Sequence, residues 1–181
     1  MRAAGLRAKA VRGYRGKIHT QTATADLVRV MLEDAARLAE QDVEHANRMR
    51  ERRGLKLLEP LYELADVSDA VSRLHGLEYD TRVELFPGIH LRLQDAGHIL
   101  GAAIVEIWID EGAGERKLVF SGDIGPDGTP IMRDATPVHD ADLVLMESTY
   151  GDRLHRPRDQ TIIEIGEVLD AARASGGNVI I

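Results

Sequence analysis

The sequence predicts an α/β fold, and two features of its hydrophobic pattern support that prediction. Between residues 27 and 49 the apolar residues recur at steps of three and four, which is typical of a long amphipathic helix. From about Tyr79 the pattern changes to short runs separated by glycine-containing turns, and several runs alternate apolar and polar residues as half-buried strands do. A long helix followed by a set of short strands is therefore the expected order.

The elements before the long helix are expected to be short. A basic helix is predicted over residues 1–11, a turn over residues 13–16 and a short strand over residues 17–20. The long helix should then begin with Thr22 or Thr24 as its N-cap, because either hydroxyl can accept a hydrogen bond from an unpaired amide of the first turn.

The long helix is expected to carry Asp26 in its first turn and to end near Gly54. A second helix is predicted over residues 66–74, with Ser68 as a candidate cap, and a third over residues 160–174. Strands are predicted over residues 82–86, 89–93, 102–109, 116–120, 142–146 and 178–181, with a hairpin loop at residues 111–114.

Composition restricts both the class of protein and the kind of metal site. The chain of 181 residues contains no cysteine, so disulfides and thiolate ligands are excluded and any metal must be held by His, Asp, Glu or water. No apolar run approaches the roughly 18–20 residues that a membrane span needs. No apolar segment follows the basic N-terminal residues, as a secretory signal would require. We therefore expect a cytoplasmic protein that does not enter a membrane.

The formal net charge of −7 argues against nucleic-acid binding through general basicity, although it leaves room for a local basic channel. One small cationic cluster contains Arg153, Arg156 and Arg158. This cluster could contact phosphates, or it could be a solvated linker ahead of the next helix, and the sequence favours neither interpretation.

Three polar residues follow strand-like runs, at points where loops leave the predicted sheet. They are His98 in Asp95-Ala-Gly-His98, Asp123 in Phe120-Ser-Gly-Asp123, and Glu147 in Glu147-Ser-Thr-Tyr-Gly151. Imidazole and carboxylate groups are the ligands suited to Zn²⁺ and related hydrolytic metals. Each residue alone also has an ordinary structural explanation: a histidine near a turn, an Asx-turn and a loop cap. Together they predict part of a metal-dependent hydrolase site.

The three motifs together resemble those of the metallo-β-lactamase fold and, within it, of the β-CASP family of nucleic-acid-processing hydrolases. They are Asp-Ala-Gly-His-Ile-Leu-Gly-Ala at 95–102, Phe-Ser-Gly-Asp-Ile-Gly at 120–125 and Glu-Ser-Thr-Tyr-Gly-Asp-Arg at 147–153. The resemblance runs from Gly13 to Ile181. It implies a partial αββα sandwich of the metallo-β-lactamase type in residues 1–151 and the start of a β-CASP domain in residues 152–181.

The resemblance also implies a function and a role for each residue. His98 is expected to bind one metal ion, Asp123 to bridge two ions, usually zinc, and Glu147 to orient or polarise groups in the site. The implied reaction is hydrolysis of a phosphodiester bond in RNA, with single-stranded RNA as the expected partner. Asp123 and Glu147 would be the catalytic residues and two Zn²⁺ ions the cofactor. A carboxylate suits the bridging role because its two oxygens can serve one ion each.

The chain departs from the family pattern at both ends. The family's His-x-His-x-Asp-His signature, which supplies most of the metal ligands, is expected upstream of Gly13 and does not occur in the sequence. The later family histidines and most of the β-CASP insertion are expected beyond Ile181. We therefore expect a chain truncated at both ends that binds metal weakly, has little turnover and is poorly soluble alone. Five further histidines match no family motif and are expected to be surface or packing residues, namely His19, His45, His75, His90 and His139.

Two other functions stay open. The same fold hosts thioesterases, lactonases and other small-substrate hydrolases, and fold alone does not choose among them, although the motif at Glu147 favours the β-CASP branch. The chain could also be a non-catalytic piece that serves as a binding partner. Also open are endonucleolytic or exonucleolytic cutting, RNA sequence preference, the metal used in the cell, the status of Met1 as the true start, and the oligomeric state, a homodimer included.

Overall fold

A computed structural model describes residues 14–154 and 156–180, and it confirms the predicted α/β class. The basic helix predicted over residues 1–11 lies outside the described residues. The elements follow the order β1 (Ile18–Gln21), α1 (Thr22–Arg52), α2 (Leu64–Val71), β2 (Leu74–Leu77), β3 (Val83–Phe86), β4 (Ile89–Asp95), β5 (Ala103–Asp110), β6 (Glu115–Phe120), β7 (Leu143–Leu145) and α3 (Arg158–Ser175). Within the described ranges, no helix combines the length and apolar character needed to cross a membrane.

The chain divides into two compact units, Met1–Glu147 and Ser148–Ile181. The first unit contains α1, α2 and all seven strands, and the second contains α3. The division falls four residues before the expected boundary between residues 151 and 152. The assignment of the two units to a metallo-β-lactamase domain and a β-CASP domain stays a prediction.

The long helix α1 forms as predicted, but its N-cap is Gln21 rather than Thr22 or Thr24. The side-chain oxygen of Gln21 accepts hydrogen bonds from the amides of Ala23, at 2.6 Å, and Thr24, at 3.4 Å. Strand β1 runs directly into the helix, so Thr22 is already helical and its hydroxyl is not placed to cap. Thr24 uses its hydroxyl for a tertiary contact instead, with the carbonyl of Gly101.

The two ends of α1 differ in how well the sequence predicted them. Asp26 lies beyond the first turn, which contains no acidic residue, so the expected dipole contact is absent at that position. The helix ends at Arg52, and Gly54 follows with φ of +65°, a left-handed conformation that glycine adopts without strain. The predicted end near Gly54 is therefore confirmed.

The region after α1 differs most from the prediction. Helix α2 begins at Leu64 because Glu63 and Asp66 form a capping box, in which each side chain accepts a hydrogen bond from the other's backbone amide. Ser68 lies inside the helix and is not its cap. The segment Leu74–Leu77, of which the first residue was predicted as helix, forms β2 and pairs in parallel with β1.

The remaining strands form a five-stranded sheet in the order β3-β4-β5-β6-β7. Neighbouring strands from β3 to β6 are antiparallel, whereas β6 and β7 are parallel. The longest run of paired residues joins β4 and β5, from Ile89 opposite Ile109 to Asp95 opposite Ala103. These strands lie within three residues of their predicted bounds, and the hairpin between β5 and β6 occupies the predicted position.

The two faces of this sheet bury different side chains, as the alternation along a strand requires. On one face Leu91 and Leu93 of β4 pack against Leu77 of β2, so this cluster joins the two sheets. On the other face Ile104 and Val119 pack around the buried Ala96, which follows β4. The apolar contacts thus fix the position of the loop that leaves β4.

The second face also buries a cluster of charges. Glu106 is fully buried, with one carboxylate oxygen 2.5 Å from Nε of Arg92 and the other 2.5 Å from Nζ of Lys117. Both cations lie 5.2 Å from the ring centre of Trp108. Burial by itself would raise the pKa of Glu106, but the contacts with the two cations outweigh it and lower that pKa below its ordinary value.

The last strand and helix are more exposed than the rest. All three residues of β7 are exposed, because among the described strands β7 pairs only with β6. Helix α3 confirms the helix predicted over residues 160–174, and it ends at Ser175, followed by the cap residue Gly176 with φ of +66°. The strand predicted over residues 178–181 does not form in residues 178–180, which are irregular, and Ile181 lies outside the described residues.

Candidate active site

The three predicted site residues follow strands that end at the same edge of the five-stranded sheet. Strand β4 is antiparallel to β5, which is antiparallel to β6, so β4 and β6 run in the same direction, and β7 runs parallel to β6. The carboxyl ends of the three strands, Asp95, Phe120 and Leu145, therefore lie along one edge. His98, Asp123 and Glu147 follow these ends within three residues.

The loops that carry His98 and Asp123 are in direct backbone contact. We name residues 96–101 the His98 loop and residues 121–125 the Asp123 loop. The amide of Gly125 donates a hydrogen bond to the carbonyl oxygen of Ala96 at 2.8 Å. A β-carbon added to Gly125 would overlap the carbonyl of Gly97 and would lie 2.7 Å from Cα of His98. Glycine is therefore required at position 125 for the two loops to approach this closely.

Glu147 connects the Asp123 loop to β7. Its Oε1 accepts a hydrogen bond from the amide of Ile124 at 2.7 Å, and its own amide donates to Oγ of Ser121 at 3.1 Å. Ser121 is buried, and its amide donates to the carbonyl of Leu145 at 2.9 Å. The bonded residues Ser121 and Ile124 lie before and after Asp123 in the chain. The position of the Asp123 backbone therefore depends on Glu147.

The His98 loop is held by Asp95 and by a crossing segment. Oδ1 of Asp95 accepts a hydrogen bond from the amide of Gly97 at 2.9 Å, and its carbonyl accepts one from the amide of Thr136 at 2.8 Å. Gly97 has φ of +66°, and a β-carbon there would lie 2.8 Å from the carbonyl oxygen of Arg133. The segment around residues 133–136 therefore packs directly over the loop.

Two hydroxyl groups fix the far end of the His98 loop. Oγ1 of Thr24 donates to the carbonyl of Gly101 at 2.6 Å, which ties the loop to the first turn of α1. The hydroxyl of Tyr79 donates to the carbonyl of Ala102 at 2.8 Å. Burial raises the pKa of Tyr79 to about 12, the negative charge of Asp95 adds to that rise, and Arg133 opposes it. Tyr79 therefore stays a hydrogen-bond donor throughout the neutral pH range.

A cavity of about 460 Å³ opens beside the His98 loop. It is lined by Glu78, Tyr79, Asp80, Asp95, Leu100, Ile131, Met132 and Arg133. Three carboxylates and one guanidinium face this space, so its charge does not favour a phosphate. Ile131 is fully exposed and has φ of +74°, which is unusual for a β-branched residue.

The side chains at this edge suit zinc in type but not in number. His98 is half-buried, Asp123 is exposed and Glu147 is half-buried. Imidazole nitrogen and carboxylate oxygen are ordinary zinc donors. Across residues 14–154 and 156–180, however, no group of three or more His, Cys, Asp or Glu side chains is placed to hold an ion. Catalytic zinc uses three protein ligands, so the described residues alone do not form a complete metal site.

The sequence pattern does not indicate the roles of Asp95, Ser121 and Thr24. Asp95 and Ser121 belong to the quoted motifs, but their hydrogen bonds are to backbone amides that only the folded loops bring near. Thr24 lies 77 residues before Gly101 in the chain, and no local signal connects them. Of the six other histidines, the five at positions 19, 45, 75, 90 and 139 lie outside the His98 and Asp123 loops, and His155 falls outside the described residues.

Comparison with known proteins gives no matching family-level sequence model, but individual relatives match. Ribonuclease TTHA0252 of Thermus thermophilus is 36% identical over 169 residues, which cover 93% of this chain and 34% of the relative. Transcription termination factor FttA of Thermococcus kodakarensis is 29% identical over 171 residues, covering 93% of this chain and 24% of that protein. Endoribonuclease YSH1 of Kluyveromyces lactis is 30% identical over 122 residues, covering 67% of this chain and 15% of that protein.

The chain thus spans about a third or less of the length of these relatives. The two matches that cover 93% of this chain include the motifs whose loops meet at one edge of the sheet. The fold, the motifs and the extent of these matches agree with the family expected from the sequence. The chain therefore belongs to the β-CASP family of metallo-β-lactamase-fold proteins.

Proposed function

We propose that the protein hydrolyses phosphodiester bonds in RNA with the help of bound metal, and that His98 and Asp123 lie at the reacting centre. The observation that best supports this proposal is the contact between the His98 and Asp123 loops, in which the Gly125 amide bonds to the Ala96 carbonyl at 2.8 Å. Hydrolysis at a metal centre requires its ligands to converge, and this contact brings two ligand-type residues from distant parts of the chain into one neighbourhood.

We propose zinc as the metal, with two ions, His98 as a ligand to one and Asp123 as a ligand shared by both. Bound zinc would supply an activated water and would neutralise charge on the phosphate. The proposal needs further ligands, because the described residues contain no group of three donors around an ion. Those ligands would have to come from parts of the protein outside the described ranges.

Glu147 has a role in this proposal that does not depend on the metal. Its carboxylate accepts a hydrogen bond at 2.7 Å from the amide of Ile124, the residue that follows Asp123 in the chain. A hydrogen bond between an amide and a charged carboxylate contributes about 1.5–3 kcal/mol when its geometry is good. Glu147 would therefore hold the backbone of the Asp123 loop in place. The position of that backbone limits the directions in which the Asp123 carboxylate can point.

The names of the relatives support RNA as the substrate. One relative is a ribonuclease, another an endoribonuclease and a third a transcription termination factor. Two of them match over 93% of this chain, a share large enough to include all three motifs. We propose single-stranded RNA, because the flexible backbone of an unpaired strand can bend to place one phosphodiester bond at a recessed site, whereas an A-form duplex holds its backbone in a regular helix.

The proposal is tested by the cleavage of a labelled single-stranded RNA by the whole protein in the presence of Zn²⁺. The variants His98→Ala and Asp123→Asn should each lower the cleavage rate by a factor of about 10² or more, because each removes a group required at the reacting centre. Matched controls are His45→Ala, an exposed histidine of α1, and Asp127→Asn, an exposed carboxylate a few residues beyond the Asp123 loop. Both controls should cleave at the wild-type rate.

A second measurement tests how strongly the 181-residue chain by itself binds zinc. Calorimetric titration with Zn²⁺ should show weak binding to the 181-residue chain, because His98 and Asp123 supply fewer than the three protein ligands of a catalytic zinc. Two tight sites in this chain would contradict the expected ligand set. Hydrolysis of a thioester by the whole protein without cleavage of RNA would reject the proposed substrate.

A further inference from the structure

Positive charge is concentrated at the start of this acidic chain. Residues 1–17 contain six cations and no carboxylate, whereas the whole chain has a net charge of −7. The six are Arg2, Arg7, Lys9, Arg12, Arg15 and Lys17. Of these, Arg15 and Lys17 fall within the described residues. A local basic region in an acidic protein can attract an anion even though the net charge repels it.

Arg15 and Lys17 lie on a closed turn. The hydroxyl of Tyr14 donates a hydrogen bond to the carbonyl of Lys17 at 2.8 Å. The Tyr14 side chain covers Gly16 so closely that a β-carbon there would overlap the hydroxyl group. Both cationic residues are exposed, while the turn that carries them is held by this contact. The contact of Tyr14 therefore restrains the backbone that carries both cations.

The pairing of β1 with β2 brings two more basic residues to the same place. The two strands are parallel, with Ile18 opposite Leu74, and the amide of Ile18 donates to the carbonyl of Arg73 at 2.8 Å. The starts of both strands therefore lie side by side. A cavity of about 320 Å³ opens there, and we name it the basic cavity. It is lined by Arg15, Gly16, Lys17, Ser72, Arg73, Leu74 and His75.

The charges around the basic cavity leave an excess of positive charge. Asp69 is the carboxylate paired there, 2.7 Å from Nη2 of Arg73. Its pKa is lowered chiefly by the hydrogen bond from Arg73, and Arg15 adds to the effect. Two full positive charges, on Arg15 and Lys17, have no ion-pair partner among the described residues. The pKa of His19, beside His75, is lowered by burial first and then by His75 and Lys17.

We propose that the basic cavity binds backbone phosphates of the RNA substrate, away from the point of cleavage. This inference rests on the proposed function, because it takes RNA as the ligand. Arginine and lysine are the residues that contact phosphates without reading sequence. The cavity lies at the start of β1, and the end of β1 leads into the turn of α1 that bonds to the His98 loop. Four strand residues span about 13 Å, so a short single strand could reach both places.

The inference is tested by equilibrium binding of a labelled single-stranded RNA to the whole protein in EDTA, which prevents metal-dependent cleavage. The variants are Arg15→Gln, Lys17→Gln and the double variant. Each lost phosphate contact should reduce the slope of log affinity against log salt by about 0.7 for a single strand. The same relation gives an affinity about fourfold weaker at 0.15 M salt for each contact and more than tenfold weaker for the double variant.

Two controls separate a phosphate site from a general effect of charge. Arg48→Gln removes the same charge from an exposed position of α1, where Arg48 pairs with Glu44, and it should leave the salt slope unchanged. Lys17→Arg keeps the charge and should bind RNA like the wild type. Circular dichroism and the emission of the single tryptophan, Trp108, should be identical in all variants, because Arg15 and Lys17 are exposed.

The outcomes distinguish this inference from the proposed function. If the double variant binds RNA with the wild-type affinity and salt slope, the basic cavity does not contact RNA, whether or not the protein cleaves it. If Arg48→Gln weakens binding as much as Lys17→Gln, the effect is one of overall charge and the inference fails. If the cavity binds inorganic phosphate in the wild type and not in the double variant, while the double variant keeps the wild-type RNA affinity and salt slope, the cavity is a site for free phosphate and the inference is overturned too. If the wild-type protein does not cleave RNA but the variants show the expected affinities and salt slopes, only the proposed hydrolysis is rejected.

Discussion

Replacement of Gly125 by alanine is the most direct test of the contact between the His98 and Asp123 loops. The added β-carbon would overlap the carbonyl of Gly97 and would lie 2.7 Å from Cα of His98. Ordinary contacts of a β-carbon begin near 3.4 Å. Backbone atoms cannot rotate away as side chains can, so one loop has to move as a whole.

The size of the effect follows from these distances. The loops must separate by about 0.7 Å or more at His98, and further at Gly97, which would break the hydrogen bond from the Gly125 amide to Ala96. Overpacking of this kind typically costs about 1–3 kcal/mol of stability. A displacement of about 1 Å at a reacting centre can lower a rate by about 10². We therefore expect Gly125→Ala to be moderately destabilised and to lose most of any RNA cleavage.

The assay combines denaturant unfolding, followed by Trp108 fluorescence, with RNA cleavage by the whole protein. Trp108 is the only tryptophan in the chain and is buried in the sheet that carries both loops. The matched control is Gly166→Ala in α3, where an added β-carbon meets no heavy atom within 4 Å. That substitution should be neutral or stabilising by up to about 1 kcal/mol, because alanine favours the helix.

Unchanged behaviour of Gly125→Ala would contradict the close contact between the two loops. If Gly125→Ala has the stability and the cleavage rate of the wild type, then the loops do not approach as closely as described. The proposal that His98 and Asp123 share a centre would then lose its main support. A destabilised variant that keeps full cleavage would mean that the contact is structural only.

Three further predictions concern the surroundings of the site. Glu106→Gln should destabilise the protein by about 2–4 kcal/mol at pH 7, measured by denaturant unfolding. The reason is that the substitution leaves the charges of Arg92 and Lys117 next to a neutral group. Since the pKa of Glu106 is lowered in the fold, this stability is present above the unfolded pKa of about 4.3 and is lost as pH falls through the lower folded pKa. A difference between wild type and variant that is unchanged from pH 7 to pH 3 would contradict the ion pairing. Tyr79 should ionise near pH 12, as ultraviolet absorbance would show, and ionisation near pH 10 would contradict its burial. Gln21→Ala should cost about 0.5–2 kcal/mol through loss of the α1 cap, and an unchanged unfolding midpoint would contradict that role.

The elements that the sequence predicted well are those with a long or regular hydrophobic pattern. Helix α1 repeats its apolar residues over many turns, β4 alternates apolar and polar residues, and β5 and β6 contain apolar runs bounded by turns, so local pattern was enough. Strand β2 was missed because it has only four residues, two of them His75 and Gly76, and forms by pairing with β1 more than 50 residues earlier. The α1 cap was missed for a related reason, since Gln21 ends a strand and is not a usual cap residue.

The candidate site was predicted in its residue types but not in its support. His98, Asp123 and Glu147 were recognisable because imidazole and carboxylate groups stand at the ends of apolar runs. The hydrogen bonds of Asp95, Ser121 and Glu147 to backbone amides could not be predicted, because each depends on the conformation of a loop.

The chemical groups of the site and the loops that carry them can be read from the amino-acid sequence, because side-chain chemistry and local periodicity are properties of the chain alone. The contact between the His98 and Asp123 loops, and the bond from Glu147 to the amide beside Asp123, become visible in the folded protein alone. They depend on strand direction and register, which arise from hydrogen bonds between distant segments. Those bonds place the ends of β4, β6 and β7 at one edge, and no local pattern records that arrangement.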